Sequence, residues 1–279
     1  MKKLINLKSI SLLISSVFIF LTFSCTKDDD IQNDYDAMVR EFGFNANNEH
    51  IKFKSSNGSI PYPYFYDDAG KIVQTGSGVF CTRYIYDENE RLVKMEYTTD
   101  RKVFSSTYPA PKTDYDIINN YSLYEYDKEG LLSKIEFYSN IDTRKEIELR
   151  SIQTFEYKGT NIVKKNLCDQ TGQINQFYEY SYDKNGNIIS EKNYICMFTG
   201  LDNPELNYET TYKYDNYKNP FRILNILGPV FYTSPNNMIE TTTKFYDSRT
   251  TTAKQTFKYN AKGYPVKMTY EDGEEEYYY

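Results

Sequence analysis

The chain has 279 residues, a net charge of −6 and a mean hydropathy of −0.70, with thirty Tyr, seventeen Phe and no Trp. So acidic a balance supplies no basic patch to displace counterions from phosphates, which argues against nucleic acid as a partner. His50 is the single histidine, and there is no P-loop, G-x-S-x-G elbow or H-E-x-x-H, so no familiar catalytic machinery and no cofactor is expected.

At the N-terminus, Lys2, Lys3 and Lys8 precede the apolar run "ISLLISSVFIFLTF", which ends at Ser24 and Cys25. A basic start, a short apolar core and small residues before a cysteine read as a secretory signal over residues 1–24. The run is too short, and too soon followed by "TKDDD", to suit a membrane span. "LTFSC" resembles a bacterial lipobox in relaxed form, with Leu21 and Thr22 ahead of the cysteine. The resemblance implies that Cys25 receives a lipid thioether and becomes the N-terminus after cleavage, which would make the membrane a partner. The "KDDD" that follows is similar to the surface-export signal of Bacteroidota lipoproteins, and so implies lipid anchoring in the outer membrane and display at the cell surface.

Residues 1–24 hold three lysines and no acids, so their removal leaves 30 basic and 39 acidic side chains, a charge of −9. Residues 25–50 are polar and acidic and read as a tether, with one helical turn around "DAMVREF". His50, at the tether's edge, reads as a solvated side chain. Residues 51–279 read as one all-β domain.

There one pattern recurs: "YFYDDAG" (64–70), "YIYDENE" (84–90), "YEYDKEG" (124–130), "YSYDKNG" (180–186), "YKYDNYK" (212–218) and "FKYNAKG" (257–263). In each, two aromatics spaced by two share a strand face before a turn. The strands leaving the turns alternate as well: Val93, Met95 and Tyr97 interleave with Lys94 and Glu96, and Val266, Met268 and Tyr270 with Lys267 and Thr269. Such alternation marks antiparallel strands with one buried face.

The aspartates Asp67, Asp87, Asp127, Asp183 and Asp215 read as turn formers whose carboxylates accept backbone N–H groups. Gly70, Gly130, Gly186 and Gly263 stand three residues after the turn's first residue, where a left-handed conformation closes a bulged hairpin. Glu90 and Lys218 hold that place in the other two repeats, which predicts a different turn geometry there. The architecture expected is a large curved antiparallel meander, an open sheet or half-barrel. The Y-x-Y-D-x-x-G repeat resembles the YD repeat of the Rhs family, and the whole pattern is similar to uncharacterised Bacteroidota lipoproteins with a curved, porin-like sheet. The likeness covers about residues 60–279 and implies no activity.

An outer-membrane barrel would need an apolar, lipid-facing outside. Here the face opposite the aromatics is charged, so a soluble curved sheet fits better.

Apart from Cys25, the cysteines are Cys81, Cys168 and Cys196, with no C-x-x-C spacing that would support zinc. They can form one disulfide and a thiol, or three small buried hydrophobes, and the second suits them better. "DKNGN" (183–187) is rich in oxygen ligands but lacks the spacing of an EF-hand, so no metal is assigned.

Function on such a scaffold is expected in the long loops at 99–120, 197–207 and 227–238. Val230, Phe231 and Tyr232 are the candidate contact residues. The function expected is a non-catalytic binding or scaffold lipoprotein, holding a glycan or a protein. The alternatives are a carrier or sensor of an apolar molecule in an aromatic-lined cavity, and a carbohydrate-active enzyme using two carboxylates.

Overall fold

The computed structural model describes residues 50–57, 62–77, 80–99, 118–140, 146–196, 201–222 and 233–279. Cys25, the helical turn around "DAMVREF", and Val230, Phe231 and Tyr232 lie outside the described residues.

Strands β1 (Phe53–Ser56), β2 (Tyr62–Tyr66), β3 (Ile72–Ser77), β4 (Phe80–Tyr86), β5 (Leu92–Thr99) and β6 (Ile118–Tyr126) come first. They are followed by β7 (Leu132–Ser139), β8 (Glu148–Lys158), β9 (Asn161–Cys168), β10 (Ile174–Tyr182) and β11 (Ile188–Ile195). The last are β12 (Glu205–Lys218), β13 (Asn236–Phe245), β14 (Thr250–Tyr259), β15 (Pro265–Tyr270) and β16 (Gly273–Tyr278). Each pairs antiparallel with its neighbour in sequence, and β1 also pairs with β16, so the meander closes into a sixteen-strand barrel.

Closure corrects the expected open sheet or half-barrel. The short strand "FKSS" lies outside the aromatic repeat, yet it pairs with β16 from Phe53↔Tyr278 to Ser56↔Glu275 and with β2 at Phe53↔Pro63 and Lys54↔Tyr62. It thereby satisfies the unpaired backbone groups that both ends of an open meander would expose. A Lys54–Glu275 ion pair at 2.8 Å and the Asn57 side chain, which accepts the Glu274 amide at 2.8 Å, pin the seam.

The repeated turns share one design. In the first, the Asp67 amide donates to the Lys71 carbonyl, Gly70 N–H donates to the Asp67 carbonyl, and the Lys71 amide donates to the Asp67 carboxylate at 2.8 Å. The same bonds recur at Asp87, Asp127, Asp183 and Asn260, and at Asp169, a turn outside the six-repeat pattern. The carboxylate thus replaces the carbonyl that a longer ladder would offer. Its reward is visible in acidity: the Arg91 amide, followed by the Arg91 guanidinium and the Asn89 amide, holds Asp87 below the usual carboxylate range against the effect of desolvation.

Two turns depart from expectation. Glu90 has φ 65° and makes the same Asp87 turn as the glycine-containing hairpins, rather than a different geometry. Asp215 begins no hairpin: β12 runs on to Lys218, and its carboxylate accepts from the Tyr217 amide, the Asn237 amide and the Tyr259 hydroxyl. Where four of the other repeats carry glycine and one carries Glu90, this one carries Lys218, and the connection to β13 comes only after it.

A bulge follows the turns at Asp67, Asp87, Asp127, Asp183 and Asn260, and also the β8–β9 turn, so the residue opposite the last Tyr joins the aromatic face. Ile72, Leu92 and Ile188 are buried in this way, and Leu92 rather than Val93 begins the apolar row of β5. Tyr64, Tyr66, Tyr84, Tyr124, Met95, Met268 and Tyr277 form one inner cluster; Tyr178, Tyr180 and Ile188 form another.

The bulges also leave carbonyls beyond the ladders, and tyrosine fills them. β3 and β4 pair only from Gln74↔Arg83 onward, and Tyr86 Oη donates to the stranded Ile72 carbonyl at 2.8 Å. Equivalent bonds run from Tyr66 to Ile51, Tyr126 to Leu92, Tyr157 to Leu132, Tyr182 to Ile162, Tyr214 to Ile188 and Tyr279 to Pro265. At the eighth position Tyr259 turns to Asp215, and Gln255 Nε2 takes the Met238 carbonyl instead. Around this rim, successive strands are joined alternately by a chain connection and by a side-chain bond, except at the β16–β1 seam, where backbone pairing replaces the connection.

Two substitutions test these devices by urea unfolding. Tyr86→Phe should cost about 1 kcal/mol, because a sheltered carbonyl loses its donor. Glu90→Gly should stabilise by about 0.5 kcal/mol: left-handed strain of about 1–2 kcal/mol is relieved, against about 0.5–1 kcal/mol of added chain entropy. Destabilisation by Glu90→Gly would mean that the turn carries no strain.

Candidate functional site

The two faces of the barrel wall differ in chemistry. The outward face carries rows of ion pairs: Lys94–Glu96 at 2.7 Å, Lys134 with Glu125 at 2.6 Å and Glu136 at 2.9 Å, Lys213–Glu240 at 2.7 Å and Lys267–Glu274 at 2.6 Å. Stacked cross-strand rings lie among them, Tyr121–Tyr138 and Phe177–Tyr194, both with centroids 4.7 Å apart. Lys94 and Lys164 cover these rings at 4.8 and 4.3 Å. The inward face is predominantly tyrosine.

One part of the inner wall breaks that rule. The register pairs Lys165 of β9 with Tyr178 of β10, and Tyr180 of β10 with Glu191 of β11. Period-two alternation therefore places a lysine and a glutamate on the tyrosine face, on either side of one strand. Lys165 Nζ lies 4.3 Å from the centre of the Tyr178 ring. Tyr208 Oη donates to Glu191 Oε1 at a long 3.5 Å. Burial lowers the Lys165 pKa, opposed by the charge of Glu191. Burial raises that of Glu191, opposed by Lys165 and by the Tyr180 and Tyr208 hydroxyls. The Tyr180 hydroxyl lies near enough to Glu191 to lower its pKa as a hydrogen-bonding neighbour, yet it is buried and completes no well-formed hydrogen bond among the described residues.

Sequence reasoning missed this constellation, although a signal existed. "VKKN" and "SEKN" place polar residues consecutively on strands. With a period of two, one of each neighbouring pair must face inward.

The remaining sequence candidates lie elsewhere. Asp67, Gly70, Asp87, Asp127, Gly130, Asp183, Gly186 and Gly263 sit on the turn rim; Asp215 joins β12 to β13 and β14. Asp183 Oδ1 accepts the Asn185 and Asn187 amides and Oδ2 accepts Asn187 Nδ2, so N–H donors occupy the oxygens that a calcium loop would need. Among the described residues no three of His, Cys, Asp and Glu converge as a metal site requires. Cys81, Cys168 and Cys196 are buried and form no disulfide among the described residues. His50, expected in solvent, stacks on Tyr66 with centroids 4.8 Å apart. A cavity among Tyr214, Phe221, Met238 and Tyr277 has about 10 Å³, room for a water and nothing larger.

No protein-family model matches the chain, and no curated protein sequence does. Among solved structures it is similar to a porin-like protein from Bacteroides vulgatus ATCC 8482, with 11% identity and a TM-score of 0.51 over 82% of this chain and 98% of that one. A porin-like protein from Bacteroides uniformis ATCC 8492 gives 10% identity and a TM-score of 0.48, over 81% and 91% of the two chains. TcdB2-TccC3-TEV gives 14% identity and a TM-score of 0.30, over 75% of this chain and 12% of that one. At 11% identity the first likeness extends to the fold alone.

The burial of Glu191 sets a sign for pH. Its folded pKa lies above the unfolded value, so the folded chain binds this proton more tightly. The parent should therefore gain stability relative to Glu191→Gln as pH falls from 7 toward 4. Melting temperatures across that range check this; a parallel shift of both proteins would place Glu191 in water.

Proposed function

We propose that the chain is a non-catalytic binding or scaffold lipoprotein, tethered through Cys25 to the outer membrane and displayed at the cell surface, with its barrel standing outside the bilayer. The observation that carries this reading is the charged outward wall. Lys94, Lys134, Lys192, Lys213 and Lys267 and their acid partners ring the barrel on strand after strand. A barrel immersed in lipid presents an apolar band, and each midplane lysine would cost about 2–4 kcal/mol. A porin-like fold with this outside is better suited to water than to hydrocarbon.

The lipobox-like "LTFSC" and the acidic "KDDD" support the anchor, and the YD-like repeats support kinship with surface proteins built from such hairpins. A second reading, a carrier with its guest inside the barrel, is favoured by the inner-wall constellation. Lys165 and Glu191 make that wall suit a polar guest better than the purely apolar one expected from the aromatics. A two-carboxylate enzyme has less to draw on: Glu275, also inward, is held by Lys54 at 2.8 Å and by Tyr277 Oη at 2.9 Å.

The test is to replace residues 1–25 by a cleaved secretory leader that lacks the cysteine. The parent should fractionate with the outer membrane and incorporate labelled palmitate; the variant should appear as a soluble periplasmic protein. A variant that stays in the membrane through an alkaline carbonate wash would mean that the barrel itself is embedded.

A further inference from the structure

The geometry points to a site for a small zwitterion, a free amino acid or a short peptide, at mid-height on the inner wall between β9 and β12, with Lys165 meeting its carboxylate and Glu191 its ammonium. This rests on the binding-module reading and names the guest.

Three observations converge on the same patch. First, two unlike charges face the interior within electrostatic reach of each other but without closing an ion pair. Lys165 has no acid within ion-pair distance among the described residues; its close neighbour is the Tyr178 ring at 4.3 Å. Glu191 has no cation within that distance, and its one hydrogen bond is the 3.5 Å contact from Tyr208. An ammonium has three donors and a carboxylate about four acceptor positions, so most of the capacity of both is unused.

Second, the fold pairs inward charges elsewhere. At the barrel seam Lys54 and Glu275 meet at 2.8 Å on the same tyrosine face. A pair kept for structure alone closes in that way; the Lys165–Glu191 pair stands open across β10.

Third, Tyr180 is an exception among the inner tyrosines. Seven of the eight rim tyrosines donate to a carbonyl, and the eighth donates to Asp215. Tyr180 is 6% exposed, and its hydroxyl, beside Glu191, completes no well-formed hydrogen bond among the described residues. A sheltered hydroxyl without a well-formed bond is a cost that a bound polar group recovers. A zwitterion supplies a close counter-charge to both groups at once, while the partly buried Tyr208 and Tyr212 rings lie beside them to meet an apolar side chain.

Isothermal titration calorimetry on the full chain in mild detergent tests this, with L-phenylalanine as the probe. Phenethylamine and 3-phenylpropionate serve as single-charge analogues, and glucose as a neutral control. L-Phenylalanine should bind saturably and each analogue about tenfold more weakly, because either leaves one buried charge unanswered. Lys165→Met and Glu191→Gln should each lose about tenfold, whereas Lys165→Arg should retain binding. Tyr180→Phe, which changes one oxygen, should weaken binding several-fold with an unchanged circular dichroism spectrum, and so keeps the test decisive if the charge variants fail to fold. Equal binding of all three phenyl probes, binding of glucose alone, unaltered affinity in well-folded variants, or no saturable heat up to millimolar L-phenylalanine would each overturn the assignment. Binding with chemical conversion of the probe would uphold the site and overturn only the non-catalytic reading.

Discussion

The barrel depends on how its turn rim is held. A meander of sixteen strands has connections at only every second junction on a given rim, and the bulges after the turns strand a carbonyl at the junctions between. A tyrosine hydroxyl from the neighbouring strand reaches such a carbonyl at 2.7–2.9 Å in six places around the circumference, and Tyr66 reaches the Ile51 carbonyl just before β1 in the same way. Bulge and tyrosine are therefore one device: the bulge creates the need and the strand's last aromatic meets it. Seven of the thirty tyrosines serve in this way. Phenylalanine would fill the same space but leave the carbonyls bare.

The same device orients the wall. With the donating ring pointing inward, period-two alternation sends the intervening Lys and Glu residues outward, where they pair across strands. The outside is thus water-compatible as a by-product of how the rim is closed. The inside is aromatic with polar ends, and that makes the unpaired Lys165 and Glu191 stand out. Charges on the outer face are answered by neighbours at 2.6–3.9 Å and by solvent. On the inner face Lys165 and Glu191 are partly buried and act on each other only at a distance, each offsetting some of the other's burial without closing an ion pair.

Much of the local structure was readable. Asp67, Asp87, Asp127 and Asp183 announce turns because the carboxylate-to-amide bond is made within five residues and needs no other part of the chain. The aromatic rows are equally local. The failures have local causes too. Tyr157 was overlooked because its turn, Lys158 to Asn161, carries no aspartate, although "FEY" repeats the aromatic spacing. Asp215 looked like a turn because "YKYDNY" copies the motif, but its carboxylate is taken by Asn237 of β13 and Tyr259 of β14 and the strand continues. Glu90 adopts the left-handed conformation despite its side chain, because the Asp87 carboxylate and the flanking ladder hold the turn closed around it.

What the chain order and residue chemistry determined by themselves was the repeating unit: the strand, the aspartate turn, the bulge, and the division of every strand into an aromatic and a charged face. These rest on bonds and periodicities that span a few residues. Only the tertiary structure decided that the ends meet, because closure hangs on β1, four residues with no pattern of their own that become a strand when β16 and β2 stand on either side. Closure in turn decided that the aromatic face is an interior, and that Lys165 and Glu191, twenty-six positions apart in sequence, flank one strand inside it. Side-chain alternation is a property of a strand, whereas inside and outside are properties of a closed surface.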